Sequence, residues 1–361
     1  MTTPAYQNKA TEILQAFEAK GALRVEANVL QPAGALLDLY GEDIRARAYI
    51  TQDALRGEQM LRPDFTVPVV QMHMKEGADP ARYTYAGRVF RRQENDPDRA
   101  NEYLQVGYEV FDRDNSDATD AEVFALIEAQ LDGVDVVSVT GDIGILTAAV
   151  KGLKTTDDRK EALLRHIWRP RRFKALLDRF GGRSAMPPSR ENLLARAYPF
   201  AAAAPMIGLR RRSEISKRIT ALHADAKADP ISGEEVALLE ALLAIKETLP
   251  NAISQLANIA VDMPSIDVAL ETMRRRSDAL AALGVAADTL PFEASFGRTI
   301  MEYYDGFVFG FRAAKRPDLP YLASGGRYDA LCHRLGQGRA IPAVGGVIRP
   351  GLLVDLLEAG Q

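Results

Sequence analysis

The chain has 361 residues, 47% hydrophobic and 26% charged, which are the proportions of a globular protein and exclude disorder, collagen and a coiled coil. Lysine and arginine number 45 against 49 acidic residues, a net charge of −4, so no global basic field draws in nucleic acid. Cys332 is the single cysteine, which excludes a disulfide framework, and the uncharged stretch 197–209 falls short of the roughly 20 residues a bilayer needs. The N-terminus has no apolar signal core, and the expectation is a soluble, reduced, cytoplasmic protein. Charge is unevenly spread. Residues 151–278 carry 23 basic against 16 acidic residues, a net of +7, which leaves −11 for the rest and predicts two structural units.

In chain order, Tyr6, Ala10, Ile13, Leu14 and Phe17 form one stripe at helical spacing, predicting a helix over 4–20 with Gly21 at its C-terminal end. Residues 24–32 alternate as a short strand does. A second extended run, 58–62, leads into Pro63-Asp64-Phe65-Thr66, where Thr66 is placed to cap a helix beginning at Val67-Pro68. Residues 82–92 and 101–112 read as an antiparallel hairpin with a long polar loop, followed by a helix over 119–131. From about 155 to 283 helical period dominates, with helices predicted over 157–180, 190–197, 213–226, 234–246 and 265–283. Strand signal returns at 292–296, 301–312 and 342–348, and a last helix is expected over 351–358. The pattern is α+β: an antiparallel sheet flanked by helices, built from residues 1–145 and 285–361, with a basic helical insertion over 146–284.

The common signatures are missing. There is no GxxxxGK[ST], GxGxxG, HExxH, CxxC or GxSxG, and the four histidines stand too far apart to make a metal pair. No metal or cofactor is expected. Cys332 and His333 are adjacent on a helical stretch and point apart, so an inert buried thiol is expected rather than a dyad.

What is present is a polar strand face. On 101–112, Tyr103, Gln105, Gly107 and Glu109 share one side and Leu104, Val106, Tyr108 and Val110 the other. An amide and a carboxylate flanking a glycine leave a concavity, although a plain solvated face fits the alternation equally. Arg91 ends the partner strand, and Asp64 and Thr66 stand at a strand-to-helix turn. A zwitterionic amino acid needs an anion for its ammonium, a cation for its carboxylate and a dry slot for its side chain, and all three types are here. Asp64 and Thr66 also fit simple helix capping. Tyr303 is expected on the sheet's other side, Gly325 and Gly326 at a turn, and Asp329 as a helix cap.

The stretches Leu61-Arg-Pro-Asp-Phe-Thr66, Gly87-Arg-Val-Phe-Arg-Arg-Gln93, Leu104-Gln-Val-Gly-Tyr-Glu109, Glu302-Tyr-Tyr-Asp-Gly306 and Ser324-Gly-Gly-Arg-Tyr-Asp-Ala-Leu331 resemble the core of histidyl-tRNA synthetase, a class II aminoacyl-tRNA synthetase. The resemblance covers roughly 1–140 and 290–361. It implies a histidine pocket: Asp64, Thr66 and Gln105 on the ammonium group, Glu109 and Tyr304 on the imidazole, Tyr328 lining the slot, and Arg91 on the carboxylate. The departures fall on adenylation. Thr299 stands where the family has its catalytic arginine, with Arg298 displaced by one and so expected on the opposite face. Gln93, Asn101 and Leu352 replace a glutamate and two arginines. With only ten residues after Gly351, no anticodon-binding domain is expected.

That combination resembles the family's non-catalytic regulatory paralogues, which pair with the short-form ATP phosphoribosyltransferase catalytic subunit and sense L-histidine. The resemblance further implies a dimer within a hetero-oligomer, with residues 29–40 as the candidate dimer motif. Two alternatives stand. One is a truncated ligase that adenylates an amino acid through Arg298. The other is a nucleic-acid module resting on Arg165-His-Ile-Trp-Arg-Pro-Arg-Arg-Phe-Lys174, against which solvated helix faces, or a docking surface for an acidic partner, are the plainer readings.

Overall fold

In a computed structural model of the chain, residues 3–34, 48–93, 99–201, 203–205, 207–299 and 303–360 are described. Half of the dimer-motif candidate (35–40) and Glu302 therefore lie outside the described residues.

Helix α1 (Pro4–Glu18) buries Ala10, Ile13, Leu14 and Phe17, the predicted stripe. The next stretch makes two short strands, β1 (Leu23–Arg24) and β2 (Leu30–Pro32), where one was expected. Strands β3 (Ile50–Asp53) and β4 (Gly57–Leu61) pair with β2 in a small sheet of order β2-β4-β3. Helix α2 (Thr66–Glu76) follows, then the hairpin β5 (Ala81–Phe90) and β6 (Glu102–Phe111), paired over ten positions from Ala81–Phe111 to Phe90–Glu102.

Helix α3 (Ser116–Ala129), strand β7 (Val136–Asp142) and helix α4 (Ile143–Gly152) complete the N-terminal part. The helical stretch contains α5 (Asp157–Arg165), α6 (Pro170–Phe180), α7 (Pro188–Leu194), α8 (Arg212–Lys227) and α9 (Gly233–Ala244). The helix expected over 157–180 is thus two. Pro170 opens the second, because a proline inside a continuing helix loses one hydrogen bond and clashes with the preceding turn. Strand β8 (Lys246–Thr248), α10 (Leu249–Asp262) and α11 (Asp267–Ala282) lead back to β9 (Pro291–Glu293), β10 (Phe307–Ala313), β11 (Ala323–Arg327), α12 (Asp329–Leu335), β12 (Ala343–Ile348) and α13 (Pro350–Glu358).

Among the described residues the main sheet has nine strands in the order β1-β5-β6-β12-β11-β10-β7-β9-β8. Its centre is antiparallel, and the pairings β1–β5 and β7–β9 are parallel, so the sheet is mixed. Strands from both ends of the chain interleave, as expected for the α+β class. One face is covered by α1, α3 and α13, where Phe17 meets Tyr108 at 5.2 Å between ring centroids. On the other face of β5 and β6, Phe65 stacks on Tyr85 at 4.4 Å and His73 of α2 on Phe111 at 3.8 Å, and the remainder is left to the site.

Strand β11 runs through the sheet where a turn was expected at Gly325 and Gly326. Its small residues carry little strand propensity, which hid it, and they are what the position requires. A Cβ on Gly325 would lie 2.3 Å from the Gly345 carbonyl oxygen and 2.4 Å from the Phe309 ring. Helix α11 packs along α3 and is fixed by a buried charge cluster. Arg276 donates to Asp120 at 3.1 Å and Asp142 at 2.6 Å, and Arg327 donates to Asp120 at 2.7 Å.

Candidate functional site

The turn Pro63–Phe65 brings two side chains beneath α2. The sequence placed Thr66 as the cap of this helix, but Thr66 is already its first residue and the flanking Phe65 makes no side-chain cap. The Thr66 hydroxyl instead donates to Glu109 Oε1 at 2.8 Å, while the Asp64 carboxylate accepts from the Val67 N–H at 3.5 Å. A buried carboxylate draws the hydroxyl more strongly than a helix terminus does.

Glu109 is the hub. Tyr85 donates to its Oε1 at 2.8 Å and Tyr328 to its Oε2 at 2.5 Å. Burial pushes its carboxyl up to about 7, against the opposing pull of these three hydroxyls. A Cβ on Gly345 would fall 1.5 Å from Glu109 Oε2, so only glycine lets β12 pass here.

Above this floor lies a cavity of about 920 Å³. Asp64, Thr66, Arg91, Gln105, Tyr304 and Tyr328 all line it, which brings six of the seven expected residues together. Glu109 sits behind Thr66 and Tyr328 and holds their hydroxyls. Gln105 is 1% exposed and its Oε1 has no hydrogen-bond partner, an open acceptor in the wall. Arg91 donates through Nε to the Pro63 carbonyl at 2.7 Å, which fixes its guanidinium at the pocket edge.

Of three further lining residues, the sequence reading put two on the wrong side and did not single out the third. Tyr303 was assigned to the sheet's other side by strand alternation, but it precedes β10 in a turn, so period two does not apply. Its ring meets Tyr304 at 5.1 Å and Tyr328 at 6.1 Å, and the three rings wall one slot. Arg298 was expected on the opposite face, yet residues 294–299 form turns and its side chain lines the cavity. It is 4% exposed, donates through Nε to the Ile167 carbonyl at 2.7 Å and lies 4.8 Å over the Phe173 ring. Burial lowers it to about 10. Arg349 also lines the cavity, 4.7 Å over the Tyr103 ring. The arginine three residues before Leu352 was the available signal.

Asp329, expected as a cap, is itself the first residue of α12. The cap is Asp305, whose carboxylate accepts from the N–H groups of Asp329 at 3.0 Å and Ala330 at 2.6 Å. Burial raises Asp305 to about 7. Cys332 is buried, and burial pushes its thiol well up, as an inert thiol requires.

Chemically the slot offers a carboxylate and an open amide oxygen for a cationic N–H, a guanidinium for an anion, and three tyrosine rings for a planar side chain. A sequence profile described as histidyl-tRNA synthetase matches residues 2–205 and 209–350. An ATP phosphoribosyltransferase regulatory subunit of Mesorhizobium japonicum is 32% identical over 360 residues, covering 93% of this chain and 94% of that one. The subunit of the same description from Brucella canis is 30% identical, covering 95% and 94%.

The chain belongs to the histidyl-tRNA synthetase family, among its ATP phosphoribosyltransferase regulatory subunits.

Solved structures agree on the fold of this family. A regulatory subunit/histidyl-tRNA synthetase from Bacillus halodurans superposes with TM-score 0.67 at 21% identity, covering 98% of this chain and 79% of that one. A histidine–tRNA ligase subunit from Alicyclobacillus acidocaldarius gives 0.61 at 22% identity, covering 99% and 95%.

Proposed function

We propose that this chain is the non-catalytic regulatory subunit of a short-form ATP phosphoribosyltransferase, the enzyme of the first step of histidine biosynthesis. L-Histidine in the tyrosine-walled pocket is the feedback signal. The observation that carries this reading is Gln105 Oε1, a buried acceptor with no partner, in a residue that lines the pocket together with Asp64 and Arg91. An unsatisfied buried acceptor costs about 1–3 kcal/mol, a cost that a ligand N–H removes on binding.

In this reading Asp64, Thr66 and Gln105 take the ammonium group, Arg91 the carboxylate, and Tyr304 and Tyr328 flank the imidazole. Glu109 sets the Thr66 and Tyr328 hydroxyls from below. Two positions that carry charge in the synthetases are here occupied with each other: Asn101 Oδ1 accepts from the Gln93 N–H at 2.9 Å and closes the hairpin. Leu352 packs against the core. Adenylation needs cations at the developing phosphate charge, and the replacements at Asn101 and Leu352 remove two of them. A dimer of this chain within a larger hetero-oligomer completes the proposal.

Reconstitution tests it. Mixed with the short-form catalytic chain of its own genome, this protein associates, raises phosphoribosyl transfer and renders it inhibitable by histidine. Neither association nor stimulation would reject the proposal. The location of Arg298 in the cavity wall favours a second reading, an adenylating ligase. Histidine-dependent ATP–pyrophosphate exchange by the isolated chain would establish it.

A further inference from the structure

Two residues that line the pocket, one through its backbone and one through its side chain, are tied to one turn of the helical layer, the residues between α5 and α6. The Tyr304 carbonyl accepts from Trp168 Nε1 at 3.1 Å, and Arg298 Nε donates to the Ile167 carbonyl at 2.7 Å. Pro170, the next residue but one, itself lines the cavity. The inner side of the turn is thus part of the pocket wall.

Its outer side is cationic. Arg165, Arg171 and Arg172 are exposed, and none pairs with a described acid. Burial, and then the charges of Arg169, Arg172 and Arg165, hold the His166 imidazole below its ordinary range. The aromatics interleaved with them are already committed. Phe173 is 1% exposed and Trp168 points inward to Tyr304. Neither large aromatic ring of this turn remains to stack on a base, so the face suits an acidic protein surface better than a nucleic acid.

We propose that the 165–173 turn carries pocket occupancy to the surface and that its outward arginines dock an acidic face of the partner protein. A ligand shifts an element only through contacts that differ between its two positions. Arg298 supplies one. Its Nη2 is buried without a partner, so the ligand carboxylate that Arg91 holds, reaching it as well, gains a second charge-assisted hydrogen bond that also fixes the guanidinium against Ile167.

The inference rests on the histidine reading above, and one experiment separates the two. The chain has a single tryptophan, so its emission reports this turn alone. Histidine is titrated into the full chain, followed in parallel by calorimetry and by Trp168 emission. The expected result is an emission change that saturates with the calorimetric midpoint. The double variant Arg171→Glu/Arg172→Glu keeps that response and loses affinity for the catalytic chain by at least about tenfold, the scale of a typical coupling. Histidine binding with silent Trp168 emission overturns the relay, and unchanged affinity of the double variant overturns the docking face. An RNA duplex that binds more tightly than the catalytic chain, with that binding lost in the double variant, overturns the class of partner. Absence of calorimetric binding rejects the histidine reading itself, and the relay with it.

Discussion

A single carboxylate organises the site. Glu109 accepts three hydroxyl hydrogen bonds in a fully buried setting, yet burial outweighs them and holds it protonated up to about 7. Removing one donor worsens that balance. Tyr328→Phe is expected to cost about 1–2 kcal/mol of stability and to weaken histidine binding, read by chemical denaturation and calorimetry. Stability should also depend on pH with a definite sign. Folded Glu109 and Asp305 hold their protons to about 7, whereas unfolded carboxyls release theirs near about 4. Between these limits the folded state binds more protons, so its stability is greatest at the acid end and falls as pH rises from about 4 to about 7. Urea unfolding across that range shows the slope, and Glu109→Gln flattens part of it while Asp305 retains the rest. A slope of opposite sign would remove Glu109 and Asp305 as its cause.

At this scale, what the sequence displayed depended on regularity. Gln105 and Glu109 lie two pleats apart on a strand and were visible by alternation. Asp64 and Thr66 stood out at a strand-to-helix turn. Tyr303 and Arg298 lie in irregular backbone, where period two assigns the wrong side. That Gln105 Oε1 is left without a partner is visible only once the neighbouring strands are in place.

Among the elements, the centre of the sheet depends on glycines that permit close approach. Gly345→Ala puts a methyl group 1.5 Å from Glu109 Oε2 and 3.0 Å from the Tyr108 carbonyl. A loss of about 3 kcal/mol or more is expected, at the upper end of overpacking costs, together with loss of histidine binding. The second expectation concerns α11. Arg276 joins it to α3 through Asp120 and to β7 through Asp142, and lies 4.4 Å over the Phe307 ring. Arg276→Met leaves two buried carboxylates without that partner and should cost about 3–5 kcal/mol in denaturant unfolding. A loss below about 1 kcal/mol would mean that the cluster rearranges around Arg327.

Helices with a clean apolar stripe, α1 and α13 among them, were legible from spacing. β11 was not, because the residues that let it pass between its neighbours are small and carry no strand signal. α10 was passed over in a run where every segment had helical period, and the break before Pro170 was masked by continuous periodicity on both sides.

For the whole molecule, charge asymmetry pointed to a basic helical stretch set beside an acidic sheet. The structure joins them more closely than composition suggests: β8 closes one edge of the main sheet and α11 packs on α3. The basic stretch is therefore mechanically connected to the pocket. No helix among the described residues is long and apolar enough to cross a membrane.

The most direct measurement is a calorimetric titration of histidine into the purified chain and into Gln105→Ala, with and without Mg-ATP. Saturable histidine binding that ignores ATP and weakens by about tenfold in the variant is the predicted result, matching the loss of a hydrogen bond to a charged group. No binding to the wild-type chain, or binding that strengthens sharply with ATP, would contradict a pocket kept for sensing histidine rather than activating it.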